Sequence, residues 1–237
     1  MFLRFVALLL TASLVACASA PPTLPQGSMV SVVSLLGNTL KLRQVGITVF
    51  GNSARALDVT PWNVDTHVED VAAAALNAAG RKATKAPAGS AISIGTWSYT
   101  NFTSSYTFAG GVAGLRKVAL ASHADYLILI TEMPDNFSDP FFRTNQSITG
   151  FGVYQRRGGG GIAYADFGLL LVDGKSGDVI YRRRAFHSKA RPDDIWLDLE
   201  NRQPQVSTLG QTSADFFEVI DTAVKSGLGY LGMLPRS

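Results

Sequence analysis

Arginine and cysteine are the residues whose placement in this chain carries the most chemistry. Arg156, Arg157, Arg182, Arg183 and Arg184 flank the strands of what reads as a β-meander. A guanidinium is planar and always charged, and its fork of donors matches a carboxylate or a phosphate. Strand alternation puts Arg182 and Arg184 on one face and Arg183 on the other. Arg156, Arg157, Arg182 and Arg184 are therefore the candidate binding residues, for anionic headgroups, peptidoglycan carboxylates or an acidic partner. The competing reading is a solvated face with internal pairing to Asp166, Asp173 or Asp178.

Other strings of reactive residues resolve into turns and loops. Gly174-Lys175-Ser176 resembles the end of a phosphate loop, but Leu169 stands where its upstream glycine belongs and a strand follows, so a hairpin turn is expected. Gly158 to Gly161 reads as a turn whose backbone is open to approach. His67, His123 and His187 lack metal-ligand spacing, and Asp193, Asp194, Asp198 and Glu200 form no calcium loop. Gly51-Asn52-Ser53-Ala54-Arg55 fails as a nucleophile elbow at its last position. No catalytic residue, metal or cofactor is expected.

Cys17 is the only cysteine. Ahead of it lie one cation, Arg4, and an apolar run from Phe5 to Ala12, the layout of a secretory signal and too short for a membrane span of about 20 residues. Leu14-Val15-Ala16-Cys17 resembles the lipobox of bacterial lipoproteins. That resemblance implies cleavage before Cys17 and acylation of its sulfur and amine. Ala16-Cys17-Ala18 also fits an ordinary signal-peptidase site, which would discard the cysteine. Several acyl chains on one residue anchor stably at about 0.8 kcal/mol per buried CH₂. Ala18 and Ser19 follow the cysteine instead of an aspartate, and the resemblance then implies the outer membrane, facing the periplasm. Three segments result: a signal peptide over 1–16, a lipidated cysteine with a Pro/Gly-rich tether over 17–28, and one periplasmic domain over 29–237. The tether, Pro21 to Ser28, is expected to run extended and space the domain from lipid.

The elements that must position these residues follow from periodicity. With 46% hydrophobic and 16% charged residues the chain is globular, and 21 basic against 18 acidic side chains give no argument for nucleic acid. Two β-rich runs, Met29–Leu36 and Thr39–Phe50, surround Gly37-Asn38 and predict a hairpin. A loop through Pro61 and Trp62 follows. Val64, Val68, Ala72 and Leu76 predict a helix with Thr66 and Glu69 as a capping box. A short strand is expected over Ala91–Gly95, a helix over Val112–Ser122, and a doubly buried strand over Tyr126–Thr131. Gly150 to Phe186 predicts a three-stranded meander, and Ser213–Leu228 a last helix ended by Gly227, Gly229 and Gly232. The order implies an α/β (α+β) domain with one mixed sheet, three main helices and a meander in the C-terminal half.

Val49-Phe50-Gly51-Asn52 and Ala124-Asp125-Tyr126-Leu127, in that order of elements, make the domain similar to an envelope-lipoprotein group. That group includes the curli-secretion lipoprotein, the penicillin-binding-protein activator lipoproteins and the amino-terminal domain of TolB. The resemblance implies an α/β fold that binds an envelope protein or peptidoglycan without catalysis. Tyr99 to Ala109 is too short for a pore hairpin with strands of about ten residues. The alternatives are an enzyme acting on an envelope polymer or small molecule, and a structural part joined through an exposed strand edge.

Overall fold

The computed structural model of the chain describes residues 20–45, 53–100, 105–132, 149–156, 161–191 and 206–235. Ten strands and four α-helices fill them: β1 (Met29–Leu35), β2 (Thr39–Val45), β3 (Ser53–Asp58), α1 (Val64–Ala78), β4 (Lys82–Lys85), α2 (Ser90–Ile94), β5 (Trp97–Thr100), β6 (Ser105–Phe108), α3 (Gly111–Ala121), β7 (Tyr126–Glu132), β8 (Gly150–Arg156), β9 (Gly161–Asp173), β10 (Val179–Arg191) and α4 (Val206–Tyr230). This is the mixed α+β architecture that the order of patterns implies.

The long strand β9 organises the sheet. β10 takes one of its edges, antiparallel, over nearly its whole length. β8 and β7 share the other edge end to end, β8 against residues 161–166 and β7 against 167–173. β1 then runs parallel to β7 and β2 parallel to β8. β4 flanks β1, and β3 flanks β2. The meander β8–β9–β10 is as expected, whereas the first hairpin is not formed: β1 and β2 run in the same direction, one after the other.

The cause of that difference lies at the junction. Asp65, in the first turn of α1, accepts hydrogen bonds from the backbone N–H groups of Leu36 and Gly37 and from the Ser34 hydroxyl. Val59 N–H donates to the Asn38 carbonyl. These bonds hold residues 36–38 as a bend between consecutive strands. β2 instead makes its hairpin with β3, in a stretch expected to be loop. The expected capping box is also absent, because Glu69 accepts from Ser34 N–H and not from its own helix.

The first face of the sheet carries Val30, Val32, Leu40, Ile128, Phe151, Phe167 and Leu169 against α1 and α4. Gly227 lies inside α4, where a Cβ would come within 2.6 Å of Leu169 and 2.8 Å of Ala185. Its bare backbone lets the helix lie close on β9 and β10, so it serves packing and does not end the helix. Leu127, Leu129, Leu170 and Val172 face the other way, towards α2 and α3. The expected strand over 91–95 is the helix α2. A strand would put Ile92 and Ile94 on one face, but a helix turns them about 200° apart. Accordingly Ile94 is fully buried and Ile92 is 87% exposed.

In the segment expected as a spacer, Thr23 and Pro25 to Gly27 are exposed, while two residues touch the body. Leu24 is buried in the main core, and Pro21 lies against Gly232.

Candidate functional site

Of the predicted arginines, Arg182, Arg183 and Arg184 lie on β10, whereas Arg156 ends β8 on the opposite edge of β9. Arg182 sits opposite Leu170, Arg183 opposite Leu169 and Arg184 opposite Gly168. Leu169 belongs to the first face and Leu170 to the second, so Arg182 and Arg184 share a face and Arg183 takes the other. Arg182 is exposed. Arg184 is half-buried and grips Asp166 with both arms, Nε to Oδ1 and a terminal nitrogen to Oδ2, each at 2.6 Å. Asp166 is 1% exposed, and the Phe186 ring lies 5.6 Å beneath the guanidinium. Arg183 stacks on Tyr181 at 4.3 Å and donates to its hydroxyl. Arg156 closes β8, with its side chain outside the described residues, as are Arg157 and Cys17.

The same face continues into a polar patch around β2, β8 and β9. Lys41 Nζ donates to Glu132 Oε2 at 2.6 Å and to Thr149 Oγ1 at 2.9 Å, and that hydroxyl donates to the same carboxylate at 3.0 Å. Glu132 ends β7 and Thr149 precedes β8, so this triad pins the two collinear strands to β2. Tyr154 and Tyr164 are buried beside it, with Ile162 and Phe186 packed on them. Burial pushes the Tyr164 hydroxyl well above the usual tyrosine range; Arg43 opposes that, and Glu132 and Asp166 add to it. The Tyr164 hydroxyl is thus kept neutral and is not poised as a nucleophile.

The remaining sequence candidates occupy separate places. Gly174-Lys175-Ser176 is the β9–β10 turn, and Asp173 Oδ1 accepts from Lys175 N–H and Ser176 N–H at 2.9 and 2.8 Å. Those bonds, the one from Ser176 foremost, hold the Asp173 carboxyl below its ordinary range, and a carboxylate sits where an anion would have to bind. His67 bonds Asp221 through Nε2 at 2.7 Å and stacks on Phe217, joining α1 to α4. His123 sits at φ +50° after α3, and His187 lies on β10. No cluster of three metal-ligating side chains occurs among the described residues. Asp193 to Glu200 and Gly158 to Gly160 lie outside them, as do Val49 to Asn52.

Sequence reading named Asp166 as a possible partner but missed Lys41, Glu132 and Thr149. The available signal was a charged residue closing the otherwise apolar run of β7.

No protein-family model matches the chain, and no curated protein does. Similar solved structures include the PelC dodecamer from Paraburkholderia phytofirmans, at 13% identity over 90% of this chain and 93% of that one, with a TM-score of 0.40. Lipoprotein GNA1162 from Neisseria meningitidis is 12% identical over 79% and 99%, with a TM-score of 0.36. The LpoB C-terminal domain from Salmonella enterica is 12% identical over 74% and 90%, with a TM-score of 0.27.

Proposed function

We propose that this chain is a lipoprotein of the bacterial outer membrane, anchored through acylated Cys17, whose periplasmic domain binds an envelope protein or peptidoglycan and catalyses nothing. The observation that carries the reading is Leu14-Val15-Ala16-Cys17 behind an apolar signal, with the chain's only thiol at the one position where acylation consumes it. A fold that keeps its shape by packing, with 44 apolar side chains buried among the described residues, has no need of disulfides in an oxidising compartment. Among the described residues, Asp65 is bonded to the β1–β2 bend, Glu69 to Ser34 of β1, Glu132 to Lys41, Asp166 to Arg184 and Asp221 to His67.

The arginines divide the binding role. Arg184, half-buried, pairs with Asp166 and shapes the strand, and Arg182 is placed against an anionic partner for its exposure on the same face. Cys17→Ala should abolish acyl labelling and release the protein from the membrane fraction; retained label would refute the anchor. Crosslinking in intact cells should recover a stoichiometric partner, and Arg182→Glu should weaken that capture several-fold without changing the melting temperature. Undiminished capture would remove Arg182 from the surface.

A further inference from the structure

With Cys17 acylated as proposed, lipid is tied to the end of the domain that residue 20 enters. The chain after residue 20 is held to the body at three points: Pro21 against Gly232, Leu24 in the core, and Met29 exchanging two 2.9 Å bonds with Asp125. Only two residues stand between Cys17 and Ala20, a reach of at most about 10 Å over the three steps. The headgroup layer of a leaflet is itself about 5–7 Å deep. So short a link leaves this end of the domain against the membrane surface.

This end is where β1 and β7 begin and β9 finishes. α3 lies across it. Its first turn touches the β9–β10 turn, where Gly177 packs on Val112 and Arg116, and its last residue is four positions from Asp125. Val112, Arg116 and Leu120 follow one another at intervals of four and form a stripe along the helix. Leu120 is 70% exposed and Val112 48%, and Lys117 is exposed beside them. α3 contains no acid. Of the nearby acids, Asp125 and Asp173 are engaged with backbone N–H groups, and Asp178 is exposed on the β9–β10 turn beside Gly177. Tyr230, half exposed, stands two residues before Gly232, where the N-terminal segment docks.

We infer that the outer stripe of α3, together with Tyr230, rests on an anionic phospholipid leaflet, with Leu120 and Val112 in the headgroup–acyl boundary and Arg116 and Lys117 among the phosphates. An apolar stripe bordered by cations lies in the interface plane for this reason, and a tyrosine sits naturally at headgroup level. The domain is thereby oriented, with the β2–β8 half and the start of α1 directed away from lipid.

The test uses the full-length acylated protein in vesicles of phosphatidylethanolamine and phosphatidylglycerol. An environment-sensitive dye is placed on a cysteine introduced as Ala121→Cys, or on Thr66→Cys at the far end of α1. The dye at 121 should shift to the blue and be quenched by lipid-borne nitroxide several-fold more than the dye at 66. Leu120→Asp with Lys117→Glu should bring it down to the level seen at 66. The mass of the same sample reports acylation. A sample lacking acyl mass overturns the lipoprotein reading and this inference with it. An acylated sample whose dye at 121 is as open to aqueous iodide as that at 66 overturns this inference alone.

Discussion

Around β1 and β7 helices roof both faces of the sheet, with α1 and α4 on one side and α2 and α3 on the other. Around β2 and β8, among the described residues, helices roof only the first face, and the second carries Lys41, Tyr164, Asp166 and Arg184. The sheet is continuous through both halves, since β9 and β10 run past each. The doubly roofed half is written as an unbroken apolar run, Leu127 to Ile130, every one fully buried. The other half alternates, with Leu40 and Leu42 inward and Lys41 and Arg43 on the opposite face. One half thus offers hydrophobic burial alone, and the other keeps charge by pairing it.

The sharpest way to break this contrast is to unpair the charge. Asp166→Ala leaves the Arg184 guanidinium half-buried without its bidentate acceptor, and removing one partner of a buried pair costs about 3–5 kcal/mol. Urea unfolding should register that loss. Asp166→Leu with Arg184→Met replaces the pair with apolar volume and should recover most of it. If the single variant is as stable as the parent, the pair does not hold β9 to β10. By contrast Lys189–Glu218, exposed at 44% and 58%, should be worth below about 1 kcal/mol in the same assay.

The doubly roofed half is tested by deletion of volume. Leu129→Ala should cost about 3 kcal/mol, as a fully buried leucine does when its cavity cannot collapse. Leu120→Ala, on the outer stripe of α3, should change the urea midpoint little.

Much of this frame is legible in the sequence where burial is one-sided and local. The 3.6-residue spacing of Val64, Val68, Ala72 and Leu76 gives α1, and the apolar run at Tyr126 gives β7, because each pattern reports which face meets the core. The β1–β2 junction is not legible. Gly37-Asn38 has hairpin composition, yet the chain runs straight on because Asp65, 28 residues later, takes up the N–H groups of the bend. A carboxylate that distant leaves no local signature. α2 was obscured by its length, since five residues hold too little of either period to separate helix from strand. At the candidate site, alternation correctly placed Arg182 and Arg184 together. It did not show that Arg184 is bound inward, since Asp166 pairs across a strand and its register depends on the β9–β10 turn.

The smallest effect lies at the junction between the two halves. Glu69 is half-buried against β1, and that burial raises its carboxyl above the ordinary 4.5, partly opposed by the bond from Ser34 N–H and reinforced by Asp65. A carboxyl raised on folding binds more protons in the folded state than in the unfolded chain. Stability therefore falls as pH rises from 4.5 through the folded value, and levels off above it. Glu69→Gln keeps an acceptor for Ser34 N–H but removes the ionisation. Its urea midpoint should gain on that of the parent across this interval, while the two run parallel at lower pH. The gain should be a fraction of the losses at Asp166 and Leu129, because the group is only partly shielded from water. A difference that does not change with pH would mean that the Glu69 charge is solvated in place, and that the α1–β1 junction belongs with the open half of the sheet and not with the roofed one.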